Sequence, residues 1–325
     1  MTAGVPVGLE IAGELLDFTT QEHITRHPRR PRNNVSYLHI DNLFRNQDIL
    51  VFKEVYAMEK IHGTSAHVSF TIVPGQPVHI NFFSGEQSEA FVKLFDVGAL
   101  TQKFLATGIN HLTVFGEAYG GKCQGMSKTY GKDLKFVVFD VKVGEYCWLS
   151  VPDAEQLAVS LGFEFVHYAK VSTDIEVLDA EKNKDSVQAV RNGMGEGHMR
   201  EGIVLRPLFE VKKNNGERVI VKHKRDEFRE TETVRKVSPD RVKVISDAKK
   251  IANEWVTEMR LNHVLSKLPH ATGMEHTRDV IFAMLEDVER EAAGEIVFSQ
   301  DAKKSIGART ATLFKQRFKD SLGAL

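Results

Sequence analysis

A lysine lies inside the first of two short strand patterns in "YAMEKIHGTSAHVSF", residues 56 to 70, which are hinged at Gly63. With the two-residue period of a strand, Lys60 shares a face with Tyr56 and Met58, two large and mostly apolar side chains. One interpretation is an edge-strand lysine that prevents aggregation. The other is a lysine held in a pocket because its amine is a nucleophile.

Carboxylates and an aromatic ring occur in three other strand-like stretches. "VFGEAYGG" places Glu117 between small residues and ahead of a glycine turn, which suits close approach by a ligand. "KFVVFDV" is an almost continuous apolar strand that contains Phe139 and Asp140, and "EGIVLRP" begins with Glu201 at the head of another. Taken alone, each of these stretches could also be explained by a solvent-exposed carboxylate or by a buried strand of the hydrophobic core.

Two lysines alternate in "VIVKHKRDEF", so that Lys222 and Lys224 lie on one face of a strand. Two cations that close repel each other unless an anion lies between them or water screens both. Together with Lys60, the acids and the ring, they complete a set that suits nucleotidyl transfer. That reaction needs a nucleophile, acids for a metal, cations for phosphate and a ring that stacks on a base.

Five motifs in the right order carry a resemblance to a known family. "EKIHG", "FGEAYGG", "FVVFD", "EGIVLRP" and "VKHK" resemble motifs I, III, IIIa, IV and V of the covalent nucleotidyltransferases, which comprise DNA ligases, RNA ligases and mRNA capping enzymes. The histidine in the first motif, and "EKIHGTS" as a whole, are similar to the RNA ligase 2 family known from phages. The resemblance covers roughly residues 37 to 228 and implies that Lys60 becomes covalently adenylylated.

The resemblance assigns roles to the first motif residue by residue. Glu59 matches the family's adenosine-contacting glutamate, and Lys60 matches its nucleophile. His62 matches a histidine used around the nucleotide phosphate and in later steps, and Gly63 belongs to the same nucleotide-binding motif. Ser65 stands where the best-known members have asparagine, a short polar replacement that keeps a hydrogen-bonding group.

The next two motifs supply the contacts to ribose and base. Glu117 resembles the carboxylate that holds the ribose, and Gln124 falls on a functional glutamine of the family. Phe139 resembles the ring that stacks on adenine, with Asp140 beside it.

The last two motifs concern the metal and the phosphates. Glu201 resembles the acid associated with the divalent metal, and Lys222 and Lys224 resemble the pair that binds phosphate. The resemblance thus implies ATP and Mg²⁺ as cofactors, with Mn²⁺ as an alternative metal. The region "INFFSGEQSEAF" aligns with motif Ia but lacks the basic residues expected before its glycine, so the residues that contact the RNA 5′-phosphate are not evident.

The elements that must position these residues predict an α+β fold. Short strand patterns dominate from about residue 36 to 228, with helices predicted in "SEAFVKLFDVGALTQKFLA" and "PDAEQLAVSLG". After about residue 234 helical periodicity follows a capping Ser238. We predict an N-terminal connector (1–34), an adenylyltransferase domain of antiparallel sheets with flanking helices (35–233) and an all-α C-terminal domain (234–325).

Length and composition narrow the class of protein. At 325 residues two domains are expected, and 42% hydrophobic with 27% charged residues is ordinary for a globular chain. No apolar run is long enough for a membrane span, and no secretory signal is recognised. Two cysteines without metal-ligand spacing fit a reducing compartment. We therefore expect a cytoplasmic protein, cellular or phage-encoded.

The expected partner is RNA with 3′-hydroxyl and 5′-phosphate ends, nicked or duplex, with no obligate protein partner and no membrane. The net charge of −1 hides a basic segment from Lys303 to Lys319, a candidate for phosphate contacts outside the pocket. Alternatives are a DNA ligase or capping-type nucleotidyltransferase, and a catalytically inactive nucleic-acid-binding relative.

Overall fold

In the residues that the structure describes, strands and short helices alternate up to residue 224, and only helices follow after residue 246. The computed structural model describes residues 9–11, 14–16, 37–85, 88–234, 237 and 246–322. The strands are β1 (Leu9–Ile11), β2 (Glu14–Leu16), β3 (Asp41–Asn42), β4 (Glu54–Lys60), β5 (Thr64–Thr71), β6 (His79–Phe83), β7 (His111–Tyr119), β8 (Lys135–Val143), β9 (Cys147–Trp148), β10 (Tyr168–Ser172), β11 (Gly202–Pro207) and β12 (Val221–Lys224). The helices are α1 (Ser88–Val92), α2 (Val97–Ala106), α3 (Ser127–Tyr130), α4 (Val151–Leu161), α5 (Ile175–Lys182), α6 (Val187–Arg191), α7 (Ala248–Trp255), α8 (Glu258–Leu265), α9 (Thr277–Glu291) and α10 (Gln300–Leu322).

Two five-stranded sheets hold the predicted motifs. Sheet A has the strand order β10-β4-β11-β12-β3, and sheet B has the order β6-β5-β7-β8-β9. Neighbouring strands are antiparallel except β12 and β3, which run parallel. The antiparallel sheets, flanking helices and later helical region confirm the predicted α+β class. Of the predicted connector, the structure describes only β1 and β2, which form an antiparallel pair.

The predicted hinge at Gly63 joins two strands of different sheets, since β4 lies in sheet A and β5 in sheet B. Backbone packing there is tight, because a Cβ on Gly63 would lie 2.3 Å from the carbonyl oxygen of Ala118. The crossing brings the end of β4, with its lysine, against the end of β7.

The helices predicted before residue 234 are confirmed. The stretch from residue 88 to 106 forms α1 and α2 with a break between them, and Asp96 caps α2. Ser150 caps α4 through a side-chain bond to the backbone N–H of Asp153, and α4 ends at Gly162, whose φ of +92° is left-handed. These local signals predict the boundaries because each satisfies backbone groups at a helix end.

The helical region has its own apolar core. Buried side chains of α7, α8, α9 and α10 form it, among them Trp255, Met284 and Phe314. The helical periodicity predicted after Ser238 covers two helices, α7 and α8, because Val256 between them is extended and Thr257 caps α8. Ser238 itself lies outside the described residues. The predicted domain boundaries stay a prediction. None of the described helices is long and apolar enough to cross a membrane.

Candidate active site

Lys60, Gly202 and Lys224 form one row across sheet A. Gly202 pairs with Lys60 on one side and with Lys224 on the other. A Cβ on Gly202 would lie 2.2 Å from the carbonyl oxygen of His223, and its φ of +151° is one that other residues rarely adopt. The middle of the row therefore has no side chain, which leaves a space between the two lysines. The next row, Met58 beside Val204 beside Lys222, confirms that Lys222 and Lys224 share a face.

Glu201 fills the space between the two lysines. Its Oε2 lies 3.0 Å from Lys60 Nζ and 3.1 Å from His62 Nδ1, and its Oε1 lies 2.9 Å from Lys224 Nζ. Burial raises the pKa of Glu201, but the nearby Lys224, Lys60 and His62 outweigh it and hold the pKa well below its usual range. Glu201 therefore stays ionised at neutral pH and fixes the position of the Lys60 amine.

Glu117 lies across the hinge from Lys60. Its Oε1 accepts a hydrogen bond of 3.1 Å from the backbone N–H of Gly63. Burial raises the pKa of this carboxyl to about 7, with Lys60 lowering it and Glu201 raising it further. Glu117 is thus a group that titrates near neutral pH inside the cavity.

We expect the Glu117→Gln variant to remove part of the pH dependence of unfolding. A carboxyl with a raised folded-state pKa stabilises the fold when protonated, and this contribution is lost as pH rises from its ordinary value of 4.5 through about 7. Glutamine keeps the acceptor for Gly63 without the charge. Urea unfolding should show the variant more stable than wild type by about 3 kcal/mol near pH 8 and nearly equal near pH 4. Parallel pH profiles for the two proteins would contradict the assignment.

A β-bulge in β8 sets the position of Phe139. Asp140 pairs with Phe115, while Val138 pairs with Gly116, so Phe139 is skipped in the ladder. A Cβ on Gly116 would lie 2.3 Å from the carbonyl oxygen of Val137, which accounts for glycine opposite the bulge. Val137 and the Phe139 ring both line the cavity.

Asp140 is instead fully buried in an ion network. It accepts hydrogen bonds from Arg206 Nη1 at 2.9 Å, Arg218 Nη1 at 2.7 Å and the Tyr37 hydroxyl at 2.6 Å. Tyr37 packs edge-on against Phe139, with ring centroids 4.9 Å apart. Asp140 therefore supports the wall behind the ring, and Tyr37 is a residue that the sequence analysis did not single out.

Glu59 also has a structural task. Its carboxylate accepts hydrogen bonds from the Ser186 hydroxyl at 2.6 Å and from the backbone N–H groups of Val187 and Gln188 at 3.1 and 3.3 Å. These are orphan donors at the start of α6. Glu59 lines the cavity, but its carboxylate is committed to α6; its predicted contact to adenosine stays a prediction.

One cavity of about 640 Å³ is lined by all of the predicted site residues except Asp140, which is buried behind its wall. The other sequence-predicted residues that line it are Glu59, Lys60, His62, Gly63, Ser65, Glu117, Gln124, Phe139, Glu201, Lys222 and Lys224. Ser65 is exposed at this cavity, and Gln124 has an unusual left-handed backbone with φ of +50°. Their roles as ligand contacts stay predictions.

The helical region closes part of the cavity. Glu291 of α9 lies 3.5 Å from Lys222 Nζ, and burial lowers the pKa of Lys222 although Glu291 raises it. Glu230 contacts Lys224 and lies 3.2 Å from His263 Nδ1 of α8. The sequence analysis missed these partners, because no local pattern tells which distant acid meets a given lysine.

The oxygen donors in the cavity suit a hard divalent cation. Glu201 and Glu117 lie near enough to influence each other's charge, and carboxylate oxygens are the ligands that Mg²⁺ and Mn²⁺ prefer. Glu201, whose oxygens contact Lys60, His62 and Lys224, would have to exchange one of these contacts to hold such an ion. The side chains of Glu230, His263 and Asp287 form a second cluster whose ligand atoms lie close together. Arg260 already neutralises this cluster, since its Nη1 lies 2.6 Å from Asp287.

Comparisons with known proteins show which family this chain belongs to. The chain is similar to Naegleria gruberi RNA ligase variants, one with ATP and Mn (15% identity, TM-score 0.44, covering 61% of this chain and 57% of that chain) and one in the apo form (15%, 0.45, 61% and 58%). It is also similar to that RNA ligase with PPi (14%, 0.41, 66% and 64%), so it spans less than two thirds of these chains. No curated protein sequence matches it. A family model described as RNA ligase matches residues 53–224, more than half of the chain, and the protein therefore belongs to the RNA ligase family.

Proposed function

We propose that this protein is an ATP-dependent RNA ligase that joins a 3′-hydroxyl to a 5′-phosphate through a lysyl-AMP intermediate. The observation that carries the proposal is the position of Lys60. Its amine lies on the cavity floor, held by Glu201 at 3.0 Å and in one row with Lys224, within the segment that matches the RNA ligase family. A surface lysine that only protects a sheet edge has no need of such a position, and β4 is an inner strand of sheet A.

The first step forms the enzyme adduct. The Lys60 amine gives up a proton and attacks the α-phosphorus of ATP, so that a P–N bond forms and the bond to pyrophosphate breaks. Lys222 and Lys224 line the same cavity and would bind the phosphate oxygens on which negative charge develops. A divalent cation held by Glu201 would neutralise further phosphate charge.

The two later steps consume the adduct. A 5′-phosphate oxygen of the RNA attacks the AMP phosphorus, the P–N bond breaks, and a phosphoanhydride forms. The 3′-hydroxyl then loses its proton and attacks the 5′-phosphate, a phosphodiester bond forms, and AMP leaves. Phe139 lines the same cavity and would stack on the base. Base choice has to come from hydrogen bonds elsewhere, since a ring stacks on any base.

The proposal predicts a pattern of labelling and joining. With α-labelled ATP and Mg²⁺, the full-length protein should form an acid-labile, alkali-resistant adduct, and GTP should label it far less. Nicked duplex RNA with a 5′-phosphate should be joined, and the same duplex with a 5′-hydroxyl should not. Equal labelling with GTP would favour a capping-type enzyme, joining of nicked DNA alone would favour a DNA ligase, and absence of any adduct would favour an inactive relative.

A further inference from the structure

Two half-exposed cations of the helical region line the same cavity as Lys60. They are Lys267, just after α8, and Arg290 in α9, with 48% and 45% of their side chains exposed. Both contact one buried carboxylate, Asp287, from which Lys267 Nζ lies 3.3 Å away. The buried Arg260 already pairs with Asp287 at 2.6 Å, so Asp287 alone cannot neutralise all three cations. Glu230 and Glu291 share in neutralising them, at 3.5 Å from Arg260 and 3.9 Å from Arg290.

A continuous network of ion pairs connects these cations to the nucleophile. From Lys60 the ion pairs run through Glu201, Lys224 and Glu230 to Arg260 and Asp287. From Asp287 they continue to Arg290, which lies 3.9 Å from Glu291, and Glu291 in turn pairs with Lys222. The network contains four carboxylates (Glu201, Glu230, Asp287 and Glu291) and six Lys or Arg side chains (Lys60, Lys222, Lys224, Arg260, Lys267 and Arg290). With the histidines neutral the network carries a net charge of +2, and Lys267 and Arg290 are its members in the helical region that are half exposed and line the cavity.

The segment that aligns with motif Ia offers no such charge. Between residues 74 and 92 the sequence contains no lysine and no arginine. Phe83 and Gly85 are the residues of this segment that line the cavity among those the structure describes. The 5′-phosphate of an incoming strand must nevertheless reach the AMP on Lys60 and carries two negative charges, so it needs cations in this cavity.

We propose that Lys267 and Arg290 form the binding site for the 5′-phosphate of the RNA strand. The inference rests on the proposed function. Arginine offers a planar fork of N–H donors and lysine a compact charge, and both bind phosphate with charge-assisted hydrogen bonds. Because both side chains are half exposed and line the cavity, a phosphate in the cavity can reach their N–H groups. The helical region thus supplies what the sheet region lacks.

The test compares two ends of one substrate. Full-length protein is titrated, without ATP or metal, onto nicked duplex RNA bearing a 5′-phosphate or a 5′-hydroxyl at the nick, and binding is read by fluorescence anisotropy. Wild type should bind the phosphorylated nick more tightly. Lys267→Ala and Arg290→Ala should each reduce this preference about tenfold at most, and the double variant should abolish it. Arg290→Lys, which keeps a cation beside Asp287, should retain part of it.

A matched control is Lys170→Ala, since Lys170 of β10 lies outside the described cavity lining and its side chain is 49% exposed. It should leave the preference unchanged. A double variant that keeps the preference, or that weakens both ends equally at an unchanged unfolding temperature, would overturn the inference while leaving the ligase proposal intact. If wild type forms no adduct and joins no RNA, the proposed function itself fails.

Discussion

Replacing Lys60 by alanine or by arginine should abolish adduct formation with ATP. Alanine removes the nucleophile, and arginine keeps a positive charge beside Glu201 but cannot lose its proton to attack phosphorus. The expected loss is complete within the detection limit of a labelling gel. Joining of RNA that carries a ready-made AMP on its 5′-end should survive better, because that substrate bypasses the first step.

The control for this experiment is Lys170→Arg. Lys170 lies on β10 at the edge of sheet A, paired with Glu54 at 2.8 Å and half exposed, as an edge-strand lysine should be. This variant should label as wild type does. Normal labelling of Lys60→Arg would refute Lys60 as the nucleophile.

Replacing Glu201 by glutamine should have the largest combined effect on stability and chemistry. The variant leaves Lys60 and His62 without their buried anion, and removing one partner of a buried ion pair costs about 3 to 5 kcal/mol. The depressed pKa of Glu201 means that this stabilisation is present at neutral pH and is lost only as pH falls well below 4.5. Urea unfolding at pH 7 measures the loss, and adduct formation should fall below detection.

Glu210→Gln separates the two effects of Glu201→Gln. Glu210 pairs with Arg206 at 3.0 Å and with Arg218, and it is no part of the described cavity lining. Its loss should lower the free energy of unfolding while the protein, kept below its unfolding temperature, still forms the adduct. If Glu201→Gln labelled as well as Glu210→Gln, Glu201 would have no role in positioning the amine.

Features that depend on near neighbours in the chain could be predicted from the sequence. The two-residue period of a strand placed Lys222 and Lys224 on one face, and the structure confirms it. The cap at Ser150 and the glycine at 162 likewise define α4, since backbone groups at helix ends are satisfied by residues nearby. The grouping of the motif residues at one cavity was instead implied by the family resemblance, since the strands that hold them lie in two different sheets.

Features that depend on distant partners could not be predicted. Glu291 is about seventy residues beyond Lys222 in the chain, and nothing in its surroundings marks it as the anion beside that lysine. Neighbouring residues also have different roles. Glu59 accepts backbone N–H groups at the start of α6, whereas Lys60 next to it lines the cavity. Phe139 lines the cavity, whereas Asp140 next to it is buried behind the ring. These distinctions come from tertiary packing and from a ladder that skips one residue, neither of which leaves a period in the sequence.

The bulge in β8 separates the side chain of Phe139, which lines the cavity, from the strand pairing of the sheet. Since Phe139 has no partner in the ladder, its replacement removes no cross-strand pair, whereas a change at Val138 or Asp140 disturbs either a paired position or the buried ions. On the proposed function, nucleotide affinity can therefore drift in evolution by substitution at this single position, while the hydrogen bonds that choose the base and the surrounding scaffold are held constant. A library randomised at residue 139 alone should yield mostly folded proteins with graded affinities for one and the same nucleotide, a starting point for tuning how tightly the protein binds it.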